Sequence, residues 1–326
     1  MKKTTEKLAG FIVGAVLACG MVVAADKPAG FPTHPIRIIV GVAPGAGTDT
    51  ITRAVAQMMT ERWGQNAIVD NRTGGGGIIA TQLVVDSAPD GYTIMSQGET
   101  VLLQGALNRV PYNPLKKLEP IVGLSQQPYI LLVNLSLPIK SMKDLIEYSK
   151  TRPIDYAGSS GIGSPVHLGM ERFAQMTGAK LQYVAYKGSA PAILAVIGGE
   201  IQLALGSSIA GSAAMRTGKV RGLAVAGLKR IPSLPDLPTV AEQGFPGFTI
   251  SNRYVLWVPT GTPRTVIDAI NKVVTEGMHS PQMVKRLEAD GSLPADSMTP
   301  AELRKTLEHE YVEISQQVKK LNLKIQ

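Results

Sequence analysis

From Ile36 onward the chain reads as a strand, a glycine-rich turn and a helix. The apolar run 36–40 is followed by Gly41-Val42-Ala43-Pro44-Gly45-Ala46-Gly47-Thr48-Asp49, and residues 51–63 carry helical periodicity. A strand running into such a turn leaves backbone N–H groups without partners at the start of a helix. With the positive end of the helix dipole, those donors attract an anion. The unit recurs. A strand over 154–157 feeds Gly158-Ser159-Ser160-Gly161-Ile162-Gly163-Ser164. Ser164 as N-cap and Pro165 at the first helical position then open an apolar helix through Met176. A third unit runs through a strand over 181–186, Lys187-Gly188-Ser189 and a helix over 190–197. Strands over 67–70 and 92–96 and a helix over 78–87 complete the first part. This alternation predicts an α/β fold, a parallel sheet with helices on its faces.

The pattern restarts with strands over 115–122 and 129–133 and a helix over 142–151, capped by Ser141. Strands over 201–205, 220–226 and 249–258 follow. The last third is helical. Thr262-Pro263 starts one helix, to 277, and the capping box Thr299-Pro300-Ala301-Glu302 opens a charged one, to 321; Thr239-Val240-Ala241-Glu242 is a further capping box. Late helices with no strands between them wrap back onto an earlier sheet. The chain is therefore expected to divide into a discontinuous domain, 26–126 with 252–326, and a second domain, 127–251. Two linkers, near 124–129 and 250–253, would give a cleft with a hinge.

Lys2, Lys3 and Lys7 precede an apolar run from Leu8 to Val23, and Val23-Ala24-Ala25 offers the small residues of a cleavage site. Residues 1–25 read as a cleavable secretory signal peptide. The run is short and glycine-interrupted for a membrane span. Val16-Leu17-Ala18-Cys19 matches a lipidation motif loosely, so a lipid anchor at Cys19 is the lesser reading. Cys19 is the only cysteine. An exported chain without disulfides suits a bacterial periplasm. The formal charge is +8, and +6 without residues 1–25. The basic residues are scattered among few aromatics, which argues against nucleic acid as a partner.

Catalytic signatures fail one by one. Gly45-Ala46-Gly47 supplies two glycines of a dinucleotide fingerprint, but Thr50 stands at the third. No Gly-Lys-Ser/Thr follows for a phosphate loop. Gly206-Ser207-Ser208-Ile209-Ala210 misses an esterase elbow at its last position. Ser164 and His167 share a helix face; capping with local packing is the simpler reading, and an exported hydrolase using the pair is the other. No His/Cys/Asp/Glu spacing suggests a metal, and no cofactor is implied. What remains is a pair of glycine turns facing each other across a cleft, a clamp that binds an anion without reacting.

Several segments in order carry a family resemblance: Ala43-Pro44-Gly45-Ala46-Gly47-Thr48-Asp49, Asn71-Arg72-Thr73-Gly74-Gly75-Gly76-Gly77, Gly161-Ile162-Gly163-Ser164-Pro165-Val166-His167-Leu168, Tyr186-Lys187-Gly188-Ser189-Ala190-Pro191 and Pro259-Thr260-Gly261-Thr262-Pro263. Across nearly the whole mature chain the sequence resembles the substrate-binding proteins of tripartite tricarboxylate transporters, the Bug family. The resemblance implies a type II periplasmic-binding-protein fold: two α/β domains, a central cleft and two hinge crossings. It implies a monomer that closes around a small carboxylate and delivers it to integral membrane transporter subunits, with no enzymatic step. In this family the first turn and the facing turn of the second domain hold a ligand carboxylate, largely through backbone amides and ordered water. Carried over, that points to Pro44, Gly45, Ala46, Gly47, Thr48 and Asp49 on one jaw. On the other it points to Ser160, Gly161, Ile162, Gly163 and Ser164.

The chain departs from the family at three places. Gly41-Val42 stands where Pro-Phe is usual, which removes an aromatic wall. Arg253 stands where an aromatic is common; it either faces the cleft and pairs a second carboxylate, or is a surface arginine of the hinge. No acidic residue stands near Gly206, which argues against an amino-acid ligand. The expectation is a di- or tricarboxylate, or an aromatic acid. A periplasmic sensor subunit serving a signalling membrane protein would share all these features.

Overall fold

Ile38 and Ile39 are neighbours on the first strand, β1 (Ile36–Val40), and both are fully buried, in different cores. Successive side chains leave opposite faces of a strand, so a strand apolar at consecutive positions must be covered on both sides. The computed structural model describes residues 28, 30–42, 44–45, 47–98, 100–158, 164–186, 189–289 and 291–320. Within them β1 is followed by α1 (Gly47–Trp63), β2 (Ala67–Asn71), α2 (Ile78–Val85), β3 (Thr93–Gly98), α3 (Thr100–Ala106), α4 (Pro114–Lys117) and β4 (Leu118–Asn134). The middle of the chain gives α5 (Met142–Thr151), β5 (Ile154–Gly158), α6 (Pro165–Thr177), β6 (Leu181–Ala185), α7 (Ser189–Gly198), β7 (Leu203–Ser207), α8 (Ser208–Arg216) and β8 (Val220–Val225). The chain closes with β9 (Ser251–Pro259), α9 (Arg264–Met278), α10 (Pro281–Ala289), β10 (Leu293–Pro294) and α11 (Pro300–Lys320).

The strands lie in the order β2-β1-β3-β9-β4-β7-β5-β6, with β8 and β10 also paired to β4. β1 is parallel to β2 and β3, and β5 is parallel to β6 and β7. The antiparallel strands β4 and β9 join these two parallel groups. Around the first group, Ile38, Ile94 and Leu256 face α1 and α9 in one core; Ile39, Met95 and Trp257 face α2, α3 and α11 in another. Around the second, Leu131, Tyr156 and Leu205 pack on α5 and α6, and Ile130, Leu132 and Ala204 pack on α7. The late helices thus return to the first group of strands.

Two expectations are corrected here. The strands expected at 115–122 and 129–133 are one strand, β4. Pro120 and Gly123 read as a break, but each sits beside a register shift against β9, where a strand tolerates a residue that cannot hold the ladder. The segments expected as linkers, 124–129 and 250–253, pair with each other as a two-stranded ribbon, Gln126 opposite Arg253 and Pro128 opposite Ser251. The box Thr239–Glu242 makes both reciprocal bonds, Thr239 N–H to Glu242 Oε2 at 2.6 Å and Glu242 N–H to Thr239 Oγ1 at 3.1 Å, yet it closes a turn rather than a helix. The box at Thr299 and Glu302 does open α11. The signal segment 1–25 and Cys19 lie outside the described residues.

Candidate functional site

The C-terminal ends of β1 and β3, the start of β9 and the starts of α1 and α6 converge on a cavity of about 280 Å³. In sheets of this kind ligands bind beyond the carboxyl ends of the strands. The turn after β1 supplies Gly41 and Val42, α1 supplies Thr48, and β3 supplies Gln97 and Gly98. The α6 start supplies Ser164 and Pro165, and β9 supplies Asn252 and Tyr254. Thr100, Leu103, Gln104, Leu107 and Arg109 form a further wall, with Gly76 beside it. The cavity therefore brings together Thr48 and Ser164, one from each expected jaw. Val42 lines it as well.

Other expected residues sit elsewhere. Pro44, Gly45 and Gly47 are exposed and not among the described lining residues. Asp49 is buried and holds the turn from inside. Its carboxylate accepts from the Gly45 N–H at 2.8 Å, from Arg53 Nε at 3.0 Å and from Asn71 Nδ2 at 2.9 Å. Burial alone would raise this carboxyl, but the Arg53, Gly45 and Asn71 bonds outweigh it and hold it below its ordinary value of 3.8. The Gly45 N–H and the Asp49 carboxylate are thus spent on each other, so both shape the jaw without facing the cavity. Ala46, Ser160, Gly161, Ile162 and Gly163 lie outside the described residues.

Arg253 faces away from this cavity. Its Nη1 pairs with Glu310 Oε1 at 3.0 Å, and it lines an adjoining hollow of about 430 Å³ between α6, α11 and the start of β9, which shares Leu103 and Pro165 with the first cavity. Cross-strand alternation is the reason: Asn252 and Tyr254 take the cavity face of β9 and Arg253 the other. Arg253 thus stands beside Glu310 and is not among the described lining residues of the first cavity.

Tyr254 ties the jaw to the ribbon. Its hydroxyl accepts from Asn252 Nδ2 at 3.2 Å and donates to Gln127 Oε1 at 3.4 Å. Burial pushes the phenol up, partly offset by the Thr48 and Asn252 bonds, so it remains neutral. A Cβ on Gly47 would stand 3.0 Å from that hydroxyl, so glycine there lets α1 approach the tyrosine. On the α6 side, Ser164 Oγ accepts the His167 N–H at 3.2 Å, an N-cap. The His167 ring packs on Tyr183 at 4.5 Å between centroids, and burial lowers its pKa. The pair is a cap and a packed ring.

Sequence reasoning missed Gln97, Gln104 and Arg109. Gln97 is wedged between Gly41 and Gly77, where a Cβ at either glycine would run into its amide. Its Nε2 donates to Thr100 Oγ1 at 3.4 Å, and Gln104 Nε2 donates to Gly76 O at 3.2 Å. The Oε1 atoms of both glutamines are buried without a hydrogen-bond partner among the described residues. One signal was available: Gln97-Gly98 ends an apolar strand at the carboxyl edge of a parallel sheet. No acidic side chain is among the described lining residues.

A family model described as the tripartite tricarboxylate transporter family receptor, TctC, matches residues 51–323. The chain belongs to the TctC receptor family. As a TctC chain it is 33% identical over 297 residues to protein BugT of Bordetella pertussis, covering 90% of this chain and 91% of that one. It is similar to a solved R. palustris protein with adipate, at 32% identity and TM-score 0.74, covering 89% of this chain and 97% of the other. MatC of Rhodopseudomonas palustris with bound malate matches at 27% identity and TM-score 0.72, over 88% of this chain and 100% of MatC. The periplasmic binding protein BugD matches at 30% identity and TM-score 0.73, over 91% and 100%. This TctC chain is accordingly a solute-binding protein of the periplasmic type and not an enzyme, with two α/β domains about a cleft. Among the described residues no helix is long and apolar enough to cross a membrane.

Proposed function

We propose that the protein captures a small carboxylate, a di- or tricarboxylate or an aromatic acid, in the cavity where α1 and α6 begin. Residues 26–126 with 252–326 form one jaw, residues 127–251 the other, and the β4–β9 ribbon is the hinge. Residues 1–25 export the chain to the periplasm, where it delivers its ligand to the integral membrane subunits of a tripartite transporter. One observation carries the reading: two helix starts meet at a cavity whose described wall holds an arginine and no carboxylate. Helix N-termini and a guanidinium favour an anion there. Malate in MatC and adipate in the R. palustris relative agree with that class. The size agrees too, since the cavity of about 280 Å³ is at the small end of ligand pockets.

A thermal-shift screen over carboxylic acids, amino acids, sugars and polyamines tests this. A ligand at 100 times its Kd stabilises the folded state by about 2.7 kcal/mol, enough to move the melting temperature by several degrees. Carboxylic acids are expected to give the shifts. Shifts confined to sugars or polyamines would contradict the anion clamp.

A further inference from the structure

The number of carboxylates on the ligand follows from Arg109, given that the cavity captures a carboxylate at all. Two described lining side chains can ionise, Tyr254 and Arg109. Tyr254 is buried and neutral, so the only fixed charge on the described wall is the Arg109 guanidinium. The chain reaches this position through Asn108, the one described non-glycine residue with a positive φ, at 53°. That turn brings the Arg109 N–H onto Gln104 O at 2.8 Å. It also places Nη1 3.9 Å from where a Cβ on Gly76 would stand. Gln104, itself buried, holds the same glycine through its Nε2. Gly76, Gln104 and Arg109 therefore form a second polar cluster of the wall, besides Thr48, Asn252 and Tyr254.

A surface arginine is ordinary, and most have partners. Arg53 pairs with Asp49, Arg72 with Asp70, Arg253 with Glu310 and Arg304 with Glu119. Arg109 is exposed and has neither an ion pair nor a side-chain hydrogen bond among the described residues. An unpaired guanidinium on the wall of a cavity without its own carboxylate is poised for a carboxylate from outside, which its planar fork binds bidentately. We propose that Arg109 binds a second carboxylate of the ligand and so makes the cavity selective for dicarboxylates over monocarboxylates. This is the role the sequence suggested for Arg253, moved to a residue whose guanidinium has no partner among the described residues.

Matched acids test it by calorimetric titration: succinate against butyrate, glutarate against valerate, adipate against hexanoate. Each pair differs by one carboxylate replaced with a methyl group. The wild-type protein is expected to prefer at least one dicarboxylate over its partner by about tenfold or more, the effect of one charge-assisted contact. Arg109→Gln should weaken that dicarboxylate about tenfold more than it weakens the matched monocarboxylate, with the free protein's melting temperature unchanged. Arg109→Lys should recover part of the loss, keeping the charge without the fork. Equal weakening of both acids of a pair, or unchanged dicarboxylate binding in Arg109→Gln, overturns the Arg109 assignment and leaves carboxylate capture standing. Wild-type protein that binds none of the acids, in calorimetry and in the thermal screen, overturns both.

Discussion

Trp257→Ala is expected to lower folding stability by about 3–5 kcal/mol, the range for removing a large buried aromatic. Trp257 is fully buried on β9, opposite Met95 on β3, among residues of α2, α3 and α11. Its Nε1 also donates to Gln97 O at 3.1 Å, which fixes the backbone of a residue lining the cavity. The alanine variant opens a void and leaves that buried carbonyl without its donor. Trp257→Phe separates the two effects: it keeps most of the packing and should cost less, about 1–3 kcal/mol for the unpaired carbonyl. Urea unfolding of the three proteins measures both. An alanine variant within about 1 kcal/mol of wild type would mean that the β3–β9 core is not packed as described.

Asp49→Asn is expected to cost about 3 kcal/mol near neutral pH, because the buried carboxylate accepts charge-assisted bonds from Arg53 and the Gly45 amide as well as a bond from Asn71. An asparagine turns an NH2 group towards donors, so at least one bond becomes a clash. The pH dependence has a definite sign. The folded carboxyl lies below its ordinary 3.8, so its stabilisation is present above about 3.8 and is lost as pH falls through the folded value. The gap between wild type and Asp49→Asn should be full at pH 7 and should shrink below about pH 3.8. A gap that stays constant into acid would show that the charge of Asp49 is not what holds the turn. Carboxylate affinity should fall with stability, since the turn positions Thr48.

Much of this molecule is legible in its sequence. The apolar runs at β1, β5 and β9, the Ser164-Pro165 helix start and the Thr299–Glu302 box each encode their elements locally. The strand–turn–helix repetition gives the parallel groups and the side of the sheet on which a ligand binds. The long strand β4 was illegible because Pro120, Gly123 and Pro128 are local signals for a break, and only pairing with β9 overrides them. The site was half legible. Thr48 and Ser164 follow from the helix starts, since a helix start declares itself in the chain. Which side of β9 faces the cavity depends on register, and a shift of one residue exchanges Arg253 for Tyr254. Gln97 and Arg109 depend on tertiary placement, a slot between two distant glycines and a left-handed asparagine, and no short motif records either. Asp49 sits inside the turn, where its carboxylate accepts the Gly45 N–H, and only the folded backbone shows that pairing.

A crystal structure grown with the carboxylate that gives the largest thermal shift tests the central claim most directly. The expected result is one ligand carboxylate in the cavity between Thr48 and Ser164, with oxygens about 2.7–3.0 Å from N–H or O–H donors at the starts of α1 and α6. A ligand held in the hollow beside Arg253 and Glu310, or one turning an uncharged end towards the two helix starts, would contradict it.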